Sequence, residues 1–421
     1  MNPPNGHINK YLPAAVLYFF LNGFLLPVGL LYTTLLTPLL LLWVARDRHL
    51  RPVFLFFFLL MPFVIAHLIV GIGNWTFYGY SLALAFTVFV FALAFYQYIS
   101  FCRSLREIYQ AILLINSLLI PVALVALAIP ALKPVFWYNK ALSVGIYNVE
   151  RLKMLTSEPS YYSILLTPVA IYYLLKAMRN ELPHRLTYCV LVAVPLLLSL
   201  SFGVIFGLVL SFLLLLILRR GKLSAGGGVW RKLATGGLIL AAALILLTFF
   251  LPDNAFFRRL DNIFLGRDSS FKGRTFDSFV LSLDIVRMKS LFWGTGFGQF
   301  KVLGLDRFRE FYNSRLYTQH DVVIPNSIGD LLGTLGLIGV AVKLFLEVYF
   351  FFRTGVFRND YRLTLFLFIF VYQFTGSYIM NIAEYVIWIL AFKPDLFPEF
   401  ITRPAVPSDK DAPPAVLKQA A

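Results

Sequence analysis

Charge is what this chain is short of. Only 14% of its 421 residues are Asp, Glu, Lys or Arg, against about 25% in a soluble globular domain. Hydrophobic residues make up 59% and aromatics 17%, and the mean hydropathy is +0.77. That balance excludes an ordinary soluble domain and predicts an integral membrane protein. Cysteine is scarcer still. Cys102 and Cys189 are the only two, and neither sits in a CxxC pair. Both fall at helix ends expected near the cytoplasm, so no structural disulfide, zinc or redox motif is expected. The membrane region and outer loop contain no DxD pair and no His/Cys ligand set. No metal and no other cofactor is therefore expected. Internal repeats and paired Gly/Pro-broken helices are missing from the pattern, which argues against an inverted-repeat transporter. A cleavable signal peptide is not visible, because the polar start MNPPNGHINKY leads into an apolar run without a small-residue cleavage site.

What is present is a succession of apolar runs. A helix needs about 20 apolar residues to cross the hydrocarbon core. Runs near 12–24, 26–45, 52–71, 80–101, 108–130, 159–176, 186–202, 203–218, 233–251, 328–352, 361–378 and 383–397 predict about 12 transmembrane helices in an all-α, polytopic fold. Lys and Arg gather in alternate connections, at 46–51, 102–107, 176–186, 219–232 and 353–362, with 3, 2, 3, 5 and 3 basic residues. The turns at 24–25, 72–79 and 379–382 hold none. By the positive-inside rule both termini and the basic loops are cytoplasmic. This placement, rather than nucleic acid, accounts for much of the net charge of +16. Residues 1–251 thus hold helices 1–9, 252–327 form one large outer loop, 328–397 hold helices 10–12, and 398–421 read as a disordered tail. The outer loop carries 11 Lys/Arg against 8 Asp/Glu. Its basic excess fits an anionic substrate at the outer surface or docking on anionic headgroups.

Three stretches carry chemistry. The first, RLKMLTSEPSYYS at 151–163, lies at the outer mouth of the sixth span. Ser157 as a helix cap and Glu158 as a first-turn acid would explain two of its residues. Arg151, Lys153, Tyr161 and Tyr162 call for a cavity or partner, because polar groups at membrane depth are costly otherwise. In the second, FLGRDSSFKGRTFDSFVLSLDIVRMKSLFWGTGFGQF at 264–300, Phe276, Val280, Leu283 and Val286 predict an amphipathic helix on or near the bilayer. Arg274 stands at its start, with Arg267 and Lys272 before it. An arginine fork at a helix start suits phosphate oxygens. The following GTGFG predicts a tight turn. The third, YTQHDVVIPNSIGDLLGTLGLIGV at 317–340, contains His320, Asp321, Asn326 and Asp330. The extended run from Val322 to Pro325 predicts that His320 sits well away from Asn326. Gly329, Gly333 and Gly336 have the spacing of close helix packing. His67 either lines a cavity or bonds a backbone carbonyl. Lys343 and Glu347 read as a structural i,i+4 pair near the cytoplasmic end. Tyr372, Gln373, Ser377, Tyr378, Asn381 and Glu384 gather at the outer ends of the last two spans, as sugar-binding groups or an interfacial belt.

In order and placement these stretches resemble the O-antigen polymerase and ligase superfamily. The resemblance rests on the SEPS motif at 157–160, the large loop with an arginine before a helix, GTGFGQF, and NSIGDLLGTLGLIG. It covers roughly residues 150–350. Such a likeness implies a GT-C-like glycosyltransferase of the bacterial inner membrane that uses an undecaprenyl-diphosphate-linked oligosaccharide at the periplasmic face. It implies that Arg274 and Arg151 bind the donor diphosphate, with Arg267 as a further candidate. Ligases of this kind have His-Asn where this chain has Pro325-Asn326, and the SEPS stretch is more similar to the polymerases. The expectation is therefore a polymerase of repeat units for a surface polysaccharide, with a ligase and a lipid or solute transporter as alternatives. Glu158 or His320 would be the base, and Asn326, Tyr161 and Gln373 would orient the acceptor. Membrane lipid, a chain-length regulator and a flippase are the partners implied.

Overall fold

The computed structural model describes residues 11–21, 23–24, 26, 30–47, 50–100, 103–139, 146, 149–223 and 255–402. Cys102, the expected span at 233–251 and the tail beyond Thr402 lie outside them. The described residues are mostly helical, with one short strand pair and a bridge between Asn359 and Ile401 among the rest. In order come α1 (Leu12–Val16), continued by a π-turn at Leu17–Leu21, α2 (Tyr32–Leu35), α3 (Thr37–Arg46), α4 (Arg51–Val70), α5 (Trp75–Ile99), α6 (Arg103–Ala126) and α7 (Lys133–Phe136). Strands β1 (Trp137–Asn139) and β2 (Glu150–Leu152) precede α8 (Pro159–Met178), α9 (Arg185–Ser199) and α10 (Phe202–Leu223). Next come α11 (Ala255–Phe264), α12 (Ser269–Lys272), a π-turn at Gly273–Asp277, α13 (Ser278–Arg287), α14 (Phe300–Leu303) and α15 (Leu305–Phe311). The chain then forms α16 (Ser327–Arg353), α17 (Asp360–Tyr372) and α18 (Ile382–Phe392).

By length and composition α4, α5, α6, α8 and α10 could cross a membrane, and α16 reaches that length only across a break at Gly336. Leu12–Leu21, α3, α9 and α18 are shorter apolar helices. Helix α8 is buried along most of its length and forms the centre of the main core with α9, α17 and α18. Lipid-type exposure falls on the outer helices, where Phe54, Phe58 and Ile69 of α4 stand open.

Helix α16 is one helix in residue count only. Gly336 has φ 70° and ψ −168°, a backbone geometry that breaks it in two. The break turns the chain back on itself: Lys343 Nζ lies 3.0 Å from Ser327 Oγ, although 16 residues of straight helix would separate them by about 24 Å. Breaking a helix among apolar groups strands backbone donors and acceptors. Here the glycine turn after α13 satisfies them. Thr295 N and Gly296 N donate to the carbonyls of Gly333 and Thr334 at 2.9 and 3.0 Å, while Leu337 N and Ile338 N donate to Leu291 and Phe292 at 3.0 and 3.2 Å. Gly294, Gly296 and Gly298 all have positive φ. The GTGFG stretch is thus a clamp on the helix break. Gly329 and Gly333 do serve close packing, against Ser278 and Phe300, whereas Gly336 serves as the hinge.

Three other expectations change. The buried face of α13 is Ser278, Leu281, Ser282, Ile285 and Val286, which packs on residues 327–335; Phe276 is exposed. Its apolar stripe therefore faces protein, because Gly329 lets the two backbones approach. Lys343 is paired most closely with Glu384, at 2.5 Å, with Glu347 at 4.0 Å, because the helix break carries it beside α18. Ser157 does not cap α8. Glu158 occupies that position with an extended backbone and makes no side-chain cap.

The basic ends of several helices converge. Arg179 and Arg219 both bind Asp360, at 2.6 and 2.8 Å, and Arg106 binds Glu399 at 2.8 Å. The ends of α8 and α10 and the starts of α6 and α17 therefore share one side of the bundle. Glu158, Leu200 and Tyr372 mark the other ends of α8, α9 and α17, where Arg259 and Asn326 of the segment 255–327 make contact.

Candidate functional site

The strand pair positions the first arginine. Tyr138 faces Arg151 across the two strands, and its ring centroid lies 5.1 Å from the guanidinium. Arg151 Nε is buried without a hydrogen-bond partner. Helix α11 brings Arg259, which is 7% exposed. Its Nε donates to Asp268 at 3.0 Å and its Nη1 to the Leu200 carbonyl at 3.3 Å. Phe202 packs against its guanidinium at 4.7 Å. The π-turn brings Arg274, whose charge acts on the Tyr372 hydroxyl.

The three guanidinium groups act on one another. Burial, then repulsion from Arg259, pulls the Arg151 pKa down; Tyr138 and Glu158 oppose this and Arg274 adds to it. Arg259 is also lowered, by burial first; Asp268 opposes the shift and Arg274 reinforces it. Glu158 interacts electrostatically with Arg151, Tyr372 and Tyr378, which places its carboxylate beside this cluster. The carboxylate is open to solvent and accepts a 2.8 Å hydrogen bond from Ser160 Oγ. Thr156 Oγ1 donates to the Lys153 carbonyl at 2.6 Å and orders the preceding turn.

Asn326 builds the floor. It is fully buried. Its Oδ1 accepts from Gly329 N at 2.9 Å, capping the first half of α16. Its Nδ2 donates to the Arg274 carbonyl at 2.8 Å and to the Phe374 carbonyl. Asn326 therefore holds the backbone of Arg274 and leaves no hydrogen of its amide for a ligand. Beneath it lies a buried network. Glu384 Oε1 receives Lys343 and Ser327, and Oε2 receives Ser377 at 2.6 Å. Gln373 Nε2 donates to Glu347 Oε2 at 2.8 Å. Lys343 lies ten residues before Arg353 at the basic end, or about 15 Å along a helix. Helices α17 and α18 have 13 and 11 residues, about 20 and 17 Å, short of the roughly 30 Å apolar core. Tyr372, at the end of α17, lies on the side of Glu158.

The structure thus brings together Arg151, Arg274 and Glu158, and ties Asn326 to Arg274. It does not bring in Arg267 or His320. Both are exposed, and His320 lies in a turn closed by Thr318 and Asp321. Val322 and Ile324 are buried and Val323 is exposed, as in an extended run. Tyr161 is buried in the main core, and Gln373 belongs to the buried network with Glu347. His67 bonds the Trp293 carbonyl through Nε2 at 2.9 Å and meets Tyr78 through Nδ1 at 3.1 Å, so the carbonyl reading holds. Arg259 was the residue missed. The amphipathic pattern of Ala255–Phe264, in which Phe flanks a basic pair, was the signal available for it.

Beside the cluster, Arg274 also lines a cavity of about 270 Å³ with Gly273, Ser278, Tyr312, Tyr317, Asp321 and neighbouring apolar residues. No protein-family model and no curated protein matches this chain, so the site is read from its own geometry.

Proposed function

We propose that the protein is a glycosyltransferase that polymerises undecaprenyl-diphosphate-linked oligosaccharide repeat units into a surface polysaccharide. The observation that carries this reading is the group of three mutually repelling arginines, Arg151, Arg259 and Arg274. Asp268 and Glu158 compensate only part of their charge. Like charges held together in partly buried surroundings are costly unless an anion joins them. A diphosphate supplies that anion, and guanidinium forks bind its oxygens in pairs.

In this proposal the chain crosses the bacterial inner membrane about 12 times in a GT-C-like layout. Its basic helix ends and both termini are cytoplasmic and residues 252–327 are periplasmic. The convergence of Arg106, Arg179 and Arg219 on one side supports the orientation. The isoprenoid tail stays in lipid and the diphosphate binds among the three arginines. An acceptor hydroxyl attacks the anomeric carbon of the donor sugar. The carbon–oxygen bond to phosphate breaks, and the undecaprenyl diphosphate leaves with the electron pair. Glu158 takes the hydroxyl proton, while the arginines stabilise the charge that develops on the leaving group. Asn326 acts as a positioning residue for Arg274.

A second reading, movement of an anionic lipid or solute, is favoured by the broken helix at Gly336 and the buried Lys343–Glu384 pair. One experiment separates the two. Purified protein in lipid nanodiscs is given a polyprenyl-diphosphate-linked repeat unit. A ladder of longer products with release of the lipid diphosphate supports polymerisation. Transport in vesicles with no glycosidic product supports the second reading.

A further inference from the structure

The cavity beside the arginines differs from them in chemistry. Its walls include Tyr312 and Tyr317, stacked at 5.5 Å and 15° between planes, with Phe308 at 6.0 Å from Tyr317. Two carboxylates stand near the aromatic pair. Asp321 lines the cavity and accepts from Thr318 N and Oγ1 at 2.8 and 2.6 Å. Asp277 is 2% exposed and accepts from Tyr312 Oη at 3.2 Å through Oδ2. Its Oδ1 is buried without a hydrogen-bond partner, as is Ser282 Oγ. Arg274 is the residue common to this cavity and the arginine cluster.

Carboxylates repel phosphate and accept hydrogen bonds from hydroxyl groups. Aromatic faces offer flat apolar area to one side of a ring. A cavity with both takes a neutral polyhydroxylated ring in preference to an anion. At about 270 Å³ it falls below the usual 300–1,000 Å³ of small-molecule pockets, which suits one or two rings better than a long chain. The same chemistry places a sugar on the protein side of Arg274, next to the diphosphate and not on it.

We infer that the cavity bounded by Tyr312, Tyr317, Asp321 and Arg274 is a sugar subsite that holds the reacting end of the acceptor glycan. The role as acceptor site rests on the glycosyltransferase reading; the affinity for neutral sugar does not. The test uses the full chain in nanodiscs and two separate probes. One is a mixture of short oligosaccharides released from the host's own surface polysaccharide, followed by saturation-transfer NMR. The other is undecaprenyl diphosphate, followed by its protection of the protein against thermal unfolding. The variants are Tyr317→Ala and Asp321→Asn, both at positions that are not fully buried, and Arg274→Ala. Loss of the sugar signal by tenfold or more in Tyr317→Ala, weakening in Asp321→Asn and retained protection by undecaprenyl diphosphate in both is the expected result. An unchanged sugar signal in both variants overturns the subsite. So does a wild-type protein that responds to undecaprenyl diphosphate and to no oligosaccharide, and in that case the donor reading stands. If the wild type binds sugar through Tyr317 but neither it nor Arg274→Ala responds to undecaprenyl diphosphate, the subsite stands and the donor reading falls.

Discussion

Replacing Lys343 by methionine tests the buried network most directly. Lys343 Nζ lies 2.5 Å from Glu384 Oε1, 3.0 Å from Ser327 Oγ and 4.0 Å from Glu347 Oε1. The Glu384 side chain is 1% exposed and that of Glu347 6%. Methionine keeps most of the volume and removes the charge, leaving two carboxylates buried near each other. Removing one partner of a buried pair costs about 3–5 kcal/mol. Glu384→Gln removes one of two acids and leaves Lys343 beside Glu347, with an amide oxygen still able to accept from Lys343 or Ser377. That change should cost about 1–3 kcal/mol. In the double variant the lost charges largely cancel, so a coupling of about 2 kcal/mol is expected, within the range for residues in contact. Unfolding by titration with a denaturing detergent in mixed micelles measures all four proteins on one scale. The reasoning fails if Lys343→Met lies within about 1 kcal/mol of wild type, or if the two single effects add within about 0.5 kcal/mol.

Gly336→Ala places a Cβ 2.3 Å from the Phe292 carbonyl oxygen and forces a side chain into a backbone region that costs about 1–3 kcal/mol. Sharply reduced yield of folded protein is expected, while Gly79→Ala, where a Cβ meets nothing within 4 Å, should express normally. Arg274→Lys keeps the charge and loses the fork, so turnover should fall by at least tenfold with the melting temperature retained; full activity in Arg274→Ala would refute diphosphate binding there. Glu158→Gln should lower turnover by about 10²–10⁴-fold if the carboxylate takes the acceptor proton, and near-normal turnover of a stable variant removes it from the mechanism. His320→Ala should leave lipid diphosphate release within about twofold of wild type, since His320 is exposed in a turn; abolished release would restore it as the base.

How much of this was legible in the sequence depends on the range of the interaction. Apolar runs predict helices because burial in lipid needs only local composition, and α4, α5, α6, α8 and α10 follow. Arg274 and Glu158 were visible because each stands beside an apolar periodic run and within a few residues of other polar groups. Arg259 was not, because its relation to Arg151 is made by folding across more than 100 residues of chain and leaves no local trace beyond amphipathicity. Gly336 misled for a physical reason: glycine spacing has the same appearance whether it admits a neighbouring helix or a positive φ. The 2.5 Å contact of Lys343 with Glu384 depends on that break, so it too was hidden behind the more local Glu347. Asn326 was recognised as important but for a different task, because a buried amide that caps a helix looks the same in sequence as one that holds a sugar.

The ion pairs at the basic end set a timetable for assembly. Arg106 precedes Glu399 by 293 residues, and Arg179 precedes Asp360 by 181. At about 5–20 residues per second of synthesis, Arg106 waits roughly 15–60 s after it is made before its partner exists. During that interval Arg106, at the start of α6, has no ion-pair tie to the segment that also receives Arg179. The short segment from Pro398 to Thr402, which supplies Glu399 and the carbonyls that receive Arg179, thus works as a buckle fastened last. A ribosome that stalls before it leaves a bundle inserted but unlatched, a distinguishable substrate for the proteases that survey newly made membrane proteins.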